Sequence, residues 1–129
     1  MTRRTINPWK WQDRFGFVQA EEIVGATATL YCSGQTSTDA SGVSQHPGDM
    51  RAQLTLAIDN LETVLTAAGY TIAEIVRLNF YTTDVDQFLE HFDVVARRLI
   101  GVRYSSTLLG VTRLAGPELL VEIEATASR

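Results

Sequence analysis

The stretch QLTLAIDNLETVLTAAG at residues 53–69 decides the fold, because its apolar residues recur at intervals of three and four. That spacing places them on one stripe of an amphipathic helix. The stripe begins at Met50, where Asp49 is suited to cap the amino end of the helix. Gly69 is suited to end the helix as a left-handed residue. The sequence therefore predicts a first helix from about residue 50 to residue 68.

The next segments along the chain predict a short turn, a strand and a second helix. Thr71 and Glu74 have the spacing of a capping box for a single further turn. Residues 77–83, RLNFYTT, alternate apolar and polar side chains and so predict a half-buried strand. Residues 85–100 repeat the helical spacing, and Gly101 follows as a stop signal.

Four β-rich runs predict the remaining strands. Residues 15–20 and 27–33 precede the first helix and are separated by Gly25, whereas residues 105–111 and 119–127 follow the second helix. The predicted order is β-β-α-β-α-β-β. Two strand-helix-strand units of similar length predict a two-layer α/β (α+β) fold, with both helices on one face of one sheet. The opposite face then needs cover, which a partner subunit would supply.

Composition restricts the class of protein. The chain has 129 residues, of which 45% are hydrophobic and 20% are charged, so we expect one soluble globular domain over residues 1–129. The net charge is -4 and Lys10 is the sole lysine, so nucleic acid is not an expected partner. No run of about 18 apolar residues predicts a membrane span, and no apolar stretch precedes a cleavage site. We therefore expect a cytoplasmic protein.

The cysteine and histidine content argues against a metal centre. The chain has one cysteine, Cys32, and two histidines, His46 and His91, whose spacing does not resemble a zinc site. We expect no metal. Cys32 lies in a β run with no histidine nearby in the sequence, so we interpret it as a small buried hydrophobe rather than a nucleophile.

The last strand carries the residues on which the functional prediction depends. The two-residue period of a strand places Glu122 and Glu124 on one side and Val121 and Ile123 on the other. If the helices cover the aliphatic side, both glutamates point away from them. A carboxylate on a strand surface is usually solvated, which is one interpretation of Glu124. Glu122 becomes a candidate for catalysis if another subunit closes over it.

Several of these segments together resemble the YjgF/RidA family, also described as the endoribonuclease L-PSP group. The likeness runs from about Phe15 to Ala127 and implies a chorismate-mutase-like fold assembled as a homotrimer, with ligand clefts between neighbouring subunits. Many members hydrolyse reactive enamines or imines to a ketone and ammonia, without a metal or cofactor. The segments that carry the likeness are YCSGQ at 31–35, QLTLAIDNLETVLTAAG at 53–69, RLNFYTTD at 77–84 and GVTRLAGPELLVEIEATA at 110–127.

The resemblance assigns roles to individual positions. Glu122 matches the glutamate thought to orient the attacking water. Such a group must give and take a proton, and burial would raise its pKa toward neutrality. Phe17 matches a tyrosine that lines the cleft, and Ser33 and Gly34 match small residues whose backbone meets the ligand.

The chain departs from the family where deaminating members hold the substrate carboxylate. Their arginine falls at Ser106, their cysteine at Leu108 and an asparagine at Phe92, so we expect a more apolar site without its anion anchor. Arg103 is a candidate replacement only if the chain bends near it, because along a strand it lies roughly 10 Å away on the opposite face. Arg14 is a candidate contact at the rim.

Two hypotheses about function follow from the resemblance and its departure. The first is a cofactor-independent hydrolase or deaminase that acts on an enamine, an imine or a related C–N bond, with Glu122 as acid–base and a substrate lacking the usual carboxylate. The second is a non-catalytic trimer that binds a metabolite or a partner protein in a cleft lined by Phe17, Phe92 and Leu108. A ribonuclease activity finds no support, given the acidic balance and the lack of a histidine pair.

Overall fold

The computed structural model of the chain describes residues 1–129 and contains strands and helices in two layers. In chain order these are β1 (Thr2–Ile6), β2 (Ala20–Val24), β3 (Thr29–Tyr31), α1 (Met50–Ala67), β4 (Ile75–Thr82), α2 (Val85–His91), α3 (Asp93–Ala96), β5 (Ser105–Gly110) and β6 (Val121–Ser128). Single 3-10 helical turns occupy Trp11–Phe15, Ile72–Glu74 and Arg97–Leu99. The predicted α+β class is confirmed.

The central sheet has four strands in the order β3-β6-β4-β5. β4 and β5 run parallel, joined by the helical crossover, while β6 is antiparallel to both of its neighbours. β1 and β2 form a separate two-stranded antiparallel sheet. A bridge from Val18 to Ser105 connects the amino-terminal segment to the edge strand β5. The other edge strand, β3, is 3 residues long.

The core lies between α1 and one face of the central sheet. Leu54, Ile58, Leu61 and Leu65 of α1 are fully buried, and each such side chain contributes about 1.5–3 kcal/mol of burial. From the sheet side they meet the alternate residues of β6, which are Val121, Ile123, Ala125 and Ala127. None of the helices is long and apolar enough to cross a membrane.

The local signals around α1 are confirmed. The Asp49 side chain accepts a hydrogen bond from the Ala52 backbone N–H at 3.0 Å, which caps the helix. Gly69 follows the helix with φ of 76°, a left-handed conformation that a side chain would strain. The capping box of Thr71 and Glu74 is also present.

The first predicted strand, residues 15–20, is wrong. Trp11–Phe15 form a 3-10 turn, and Gly16 then takes φ of 84°, which interrupts an extended run. The strand begins at Ala20 instead and pairs with β1, which the sequence did not predict. The prediction of one sheet is therefore also wrong, because this pair is separate from the central four strands.

The second predicted helix is broken into three short pieces rather than continuous. α2 ends at His91, α3 starts at Asp93, and a 3-10 turn completes the segment before Gly101, whose φ is 80°. The break between α2 and α3 falls at Phe92, and the β-branched pair Val94–Val95, which are poorer helix formers, follows it within α3. The prediction that both helical segments pack on the same side of the sheet holds.

Candidate functional site

A cavity of about 260 Å³ opens between α2 and the edge strand β5. We call it the phenylalanine pocket, because its walls include all 5 phenylalanines of the chain. It is lined by Phe15, Phe17, Phe80, Phe88, Leu89, Phe92, Tyr104, Ser106 and Leu108. No charged side chain is among them.

The pocket forms because separate elements direct their rings to one place. Phe88 and Phe92 are four residues apart at the end of α2, so they project from the same side of the helical segment. Phe80 on β4 lies 5.3 Å from Phe88 and 5.6 Å from Phe92 between ring centroids, and Phe15 lies 6.4 Å from Phe17. These separations are typical of stabilising aromatic pairs.

Two hydroxyl groups interrupt the apolar wall. Tyr104 is 1% exposed, and burial raises the pKa of its hydroxyl to about 12, so it stays protonated at neutral pH. Ser106 lies two residues further along, at the start of β5. Neither hydroxyl makes a hydrogen bond within the chain, so both are free to bind a ligand.

The opposite face of the central sheet, which no helix covers, carries the two glutamates of β6. We call it the open face. Glu124 Oε1 accepts hydrogen bonds from Asn79 Nδ2 at 3.0 Å and from the Tyr81 hydroxyl at 2.9 Å. These bonds lower the pKa of Glu124 and keep it ionised.

Glu122 has a different environment from Glu124. Its half-buried carboxyl group accepts no hydrogen bond within the chain, and its pKa is raised, mainly by burial and further by the charge of Glu124. Two neighbouring carboxyl groups with pKa values pushed apart can divide the roles of acid and fixed anion. Glu122 is the one suited to exchange a proton.

Gly34 lies directly against Glu122. A Cβ atom at Gly34 would be 2.5 Å from Cδ of Glu122, so glycine leaves the space that the Glu122 carboxyl occupies. The segment is held in place by Gln35, whose backbone exchanges two hydrogen bonds with Ile123 on β6. Ser33 precedes it and is exposed. The three predicted residues Ser33, Gly34 and Glu122 therefore lie together.

The other predicted residues lie on the opposite side of the sheet. Phe17, Phe92, Ser106 and Leu108 all line the phenylalanine pocket. In the strand register Ser106 is paired with Leu78, which is buried under the helices, whereas Glu122 is paired with Tyr81 of the open face. One chain therefore brings the predicted residues together as two separate groups, not as one site.

The two arginine candidates differ in what they contact. Arg103 Nε lies 3.4 Å from Glu21, a fully buried carboxylate that Arg3 also binds at 3.0 Å. Arg103 thus pairs with the β1–β2 sheet and does not line the pocket. The Arg14 guanidinium lies 4.5 Å from the centre of the Phe15 ring, next to the pocket wall.

Sequence reasoning assigned no site role to several residues of these two groups, among them Phe15 and Leu89 of the pocket wall. It treated Phe80 and Phe88 only as members of apolar stripes, and it gave no role to Asn79 or Tyr81. The alternation in RLNFYTT already placed Asn79 and Tyr81 on the polar side of their strand. Their contact with Glu124 depends on the register between β4 and β6, which is a long-range property.

Comparisons with known proteins place these features in a family. Residues 15–129 match the family model described as Endoribonuclease L-PSP. A solved structure from Yersinia pestis, described as a protein of unknown function of the conserved Rid protein family, is 35% identical with a TM-score of 0.89, and the match covers 100% of both chains.

Curated relatives give a similar picture. The RutC family protein YjgH of Escherichia coli is 32% identical over 74% of this chain and 73% of its own length. A RutC family protein of Pyrococcus horikoshii is 28% identical over 82% of this chain and 83% of its own length.

Proposed function

This chain belongs to the endoribonuclease L-PSP family, the YjgF/RidA group, and on that premise we propose that it hydrolyses a reactive enamine or imine to a carbonyl compound and ammonia. Glu122 is the acid–base in this proposal. The single observation that carries it is the half-buried Glu122 carboxyl, which has a raised pKa and no hydrogen-bond partner in its own chain.

The proton exchanges at Glu122 balance over one turnover. The protonated carboxyl gives its proton to the enamine carbon, which forms an iminium ion. The carboxylate then takes a proton from the water that attacks the iminium carbon, and returns it to the amine nitrogen of the resulting carbinolamine. The C–N bond breaks, ammonia leaves, and the hydroxyl proton returns to Glu122 as the carbonyl forms.

A complete site requires a second copy of the chain. The phenylalanine pocket and Glu122 lie on opposite faces of one sheet, so one protomer does not present both to a single substrate. We propose a homotrimer in which the pocket of one protomer faces Glu122 of its neighbour. Exposed Tyr31 and Leu109 on the open face, together with the buried and unpaired Oδ1 atom of Asn79, support this face as the contact surface.

The substrate in this proposal lacks the carboxylate that deaminating members of the family hold. Ser106 and Leu108 occupy the positions where those members carry arginine and cysteine, and no cation lines the pocket. A carboxylate buried there would be unpaired, which is strongly unfavourable.

The experiment compares ammonia release from freshly generated imino acids and from neutral enamines, using the wild type and Glu122→Ala. We expect the wild type to prefer the neutral enamines and Glu122→Ala to lose about 10²–10⁴-fold of that rate, the usual contribution of a general acid–base. Glu118→Ala, which removes an exposed carboxylate elsewhere, is the matched control. Equal rates for wild type and Glu122→Ala would remove Glu122 from the mechanism.

The second candidate function is a trimer that binds a metabolite without converting it. The uncharged, largely apolar phenylalanine pocket favours this candidate, since such pockets are typical of small-molecule binding sites. Native mass spectrometry distinguishes the two functions: a bound and unchanged metabolite, with no ammonia released, supports binding alone.

A further inference from the structure

We propose that the phenylalanine pocket selects an uncharged aryl group, so that the substrate of this site is a neutral arylalkyl imine or enamine with a polar atom near its ring. This inference rests on the proposed function, because it names the substrate class of the same site. Four properties of the pocket lead to it, namely its walls, its volume, its lack of charge and its free hydroxyls.

The walls favour a planar ring over other apolar groups. Phe80, Phe88 and Phe92 meet one another at angles between 38° and 90°, which leaves both ring faces and ring edges at the wall. An aromatic ligand can continue these edge-to-face contacts, which contribute beyond the area that is buried. Trp11 extends the aromatic surface outside the pocket, with its ring 5.8 Å from Phe17.

The volume limits the ligand to one ring with a short chain. An apolar cavity of about 150 Å³ holds benzene. The phenylalanine pocket, at about 260 Å³, therefore has room for one benzene ring and a few further heavy atoms.

The absence of charge on the wall selects against anions and cations. The guanidinium of Arg14 stacks on the Phe15 ring and does not line the cavity. A carboxylate inside the pocket would lose its water without gaining a partner, whereas a neutral ligand has no such cost.

The Tyr104 hydroxyl indicates a polar atom on the ligand. Tyr104 is 1% exposed and borders the pocket, yet its hydroxyl has no partner in the chain. A ligand that displaces water from this hydroxyl leaves it unpaired unless the ligand accepts its proton, so a carbonyl oxygen or an imine nitrogen at that place is favoured. Ser106 offers a second hydroxyl on the same wall.

The first test is binding of three ketones by the full chain, measured by isothermal titration calorimetry. The probes are phenylacetone, cyclohexylacetone, which has a non-planar ring of similar size, and phenylpyruvate, which adds a carboxylate. We expect phenylacetone to bind about tenfold more tightly than phenylpyruvate and several-fold more tightly than cyclohexylacetone. Equal binding of all three, or strongest binding of phenylpyruvate, would overturn the inference.

Tyr104→Phe tests the hydrogen bond, because it removes one oxygen and leaves the ring. We expect it to weaken phenylacetone binding by about 2- to 13-fold, the range for one hydrogen bond, and to leave propylbenzene binding unchanged. Tyr70→Phe changes a buried tyrosine outside the pocket and is the matched control. It should change the binding of neither phenylacetone nor propylbenzene. Unchanged binding of phenylacetone to Tyr104→Phe would remove Tyr104 from ligand recognition.

The second test separates this inference from the proposed function. The imines of the same ketones are generated in situ by an amine oxidase or, for phenylpyruvate, by an amino-acid oxidase, and ammonia release is measured. Turnover that favours the phenylacetone imine supports both the hydrolase proposal and the selectivity of the pocket. Turnover without a preference for the neutral aryl imine overturns this inference alone. If phenylacetone binds selectively and no imine is hydrolysed, the hydrolase proposal fails and the selectivity of the pocket stands.

Discussion

Replacing Gly34 by alanine moves the Glu122 carboxyl group without removing it. The new Cβ would lie 2.5 Å from Cδ and 2.7 Å from Oε1 of Glu122. Carbon atoms in ordinary contact are about 3.5 Å apart, so the carboxyl must move by about 1 Å. Gly34 is not in a left-handed conformation, so its backbone can accept alanine without strain.

A displacement of this size should reduce catalysis far more than stability. A misplacement of about 1 Å costs about 10²-fold in rate, so we expect kcat/KM of Gly34→Ala to fall about 100-fold. The melting temperature should change by only a few degrees, because the displaced atoms are the end of a flexible side chain. The assay is ammonia release from a neutral enamine, coupled to glutamate dehydrogenase, beside thermal unfolding.

The double variant Gly34→Ala/Glu122→Ala provides the control. If the glycine acts only by leaving room for the carboxyl, Gly34→Ala has no further effect once Glu122 is gone, and the two losses are not additive. The reasoning is refuted if Gly34→Ala keeps wild-type kcat/KM, or if its loss adds in full to that of Glu122→Ala.

Three further predictions concern the shared site, its titration and its specificity. The Glu122→Ala and Ser106→Trp chains should each be inactive alone. Refolded together, they should recover roughly a quarter of wild-type activity by random assembly if the site is shared between protomers, and none if it lies within one chain. The raised pKa of Glu122 means that the folded chain holds a proton that the unfolded chain has lost, so the free energy of unfolding falls as pH rises above the ordinary value of 4.5. In urea titrations at a series of pH values, Glu122→Gln should lose part of this fall, and parallel curves of stability against pH for the variant and the wild type would contradict the assignment. Ser106→Arg places a guanidinium at the pocket and should shift the preference in ammonia release from neutral imines toward imino acids by tenfold or more, and an unchanged ratio would contradict it.

Features specified by neighbours in the sequence were predictable. The cap at Asp49, the stop at Gly69 and the period of α1 are local patterns, and the structure contains all three. β1 was not predictable in this way. Its sequence TRRTI has no apolar run, and the strand depends on β2 and on the buried pair of Arg3 with Glu21, which lie far apart in the sequence.

The candidate site shows the same division between local and long-range signals. The two-residue period of β6 correctly placed Glu122 and Glu124 on the face away from the helices. It could not distinguish them, because the pKa of Glu124 depends on Asn79 and Tyr81 across the β4–β6 register, and that of Glu122 depends mainly on burial in the folded chain. The phenylalanine pocket draws rings from four separate segments, so its composition required the tertiary structure.

The two edges of the central sheet affect how the protein behaves at high concentration. β3 offers 3 residues for pairing, and the start of β5 is already bridged by Val18. Long, unpaired edge strands are templates on which further chains add and grow into fibrils, and the β3 edge provides little such template. Fibril growth from the β3 edge should therefore be slow, even though the neighbouring strand β6 carries buried apolar residues at alternate positions.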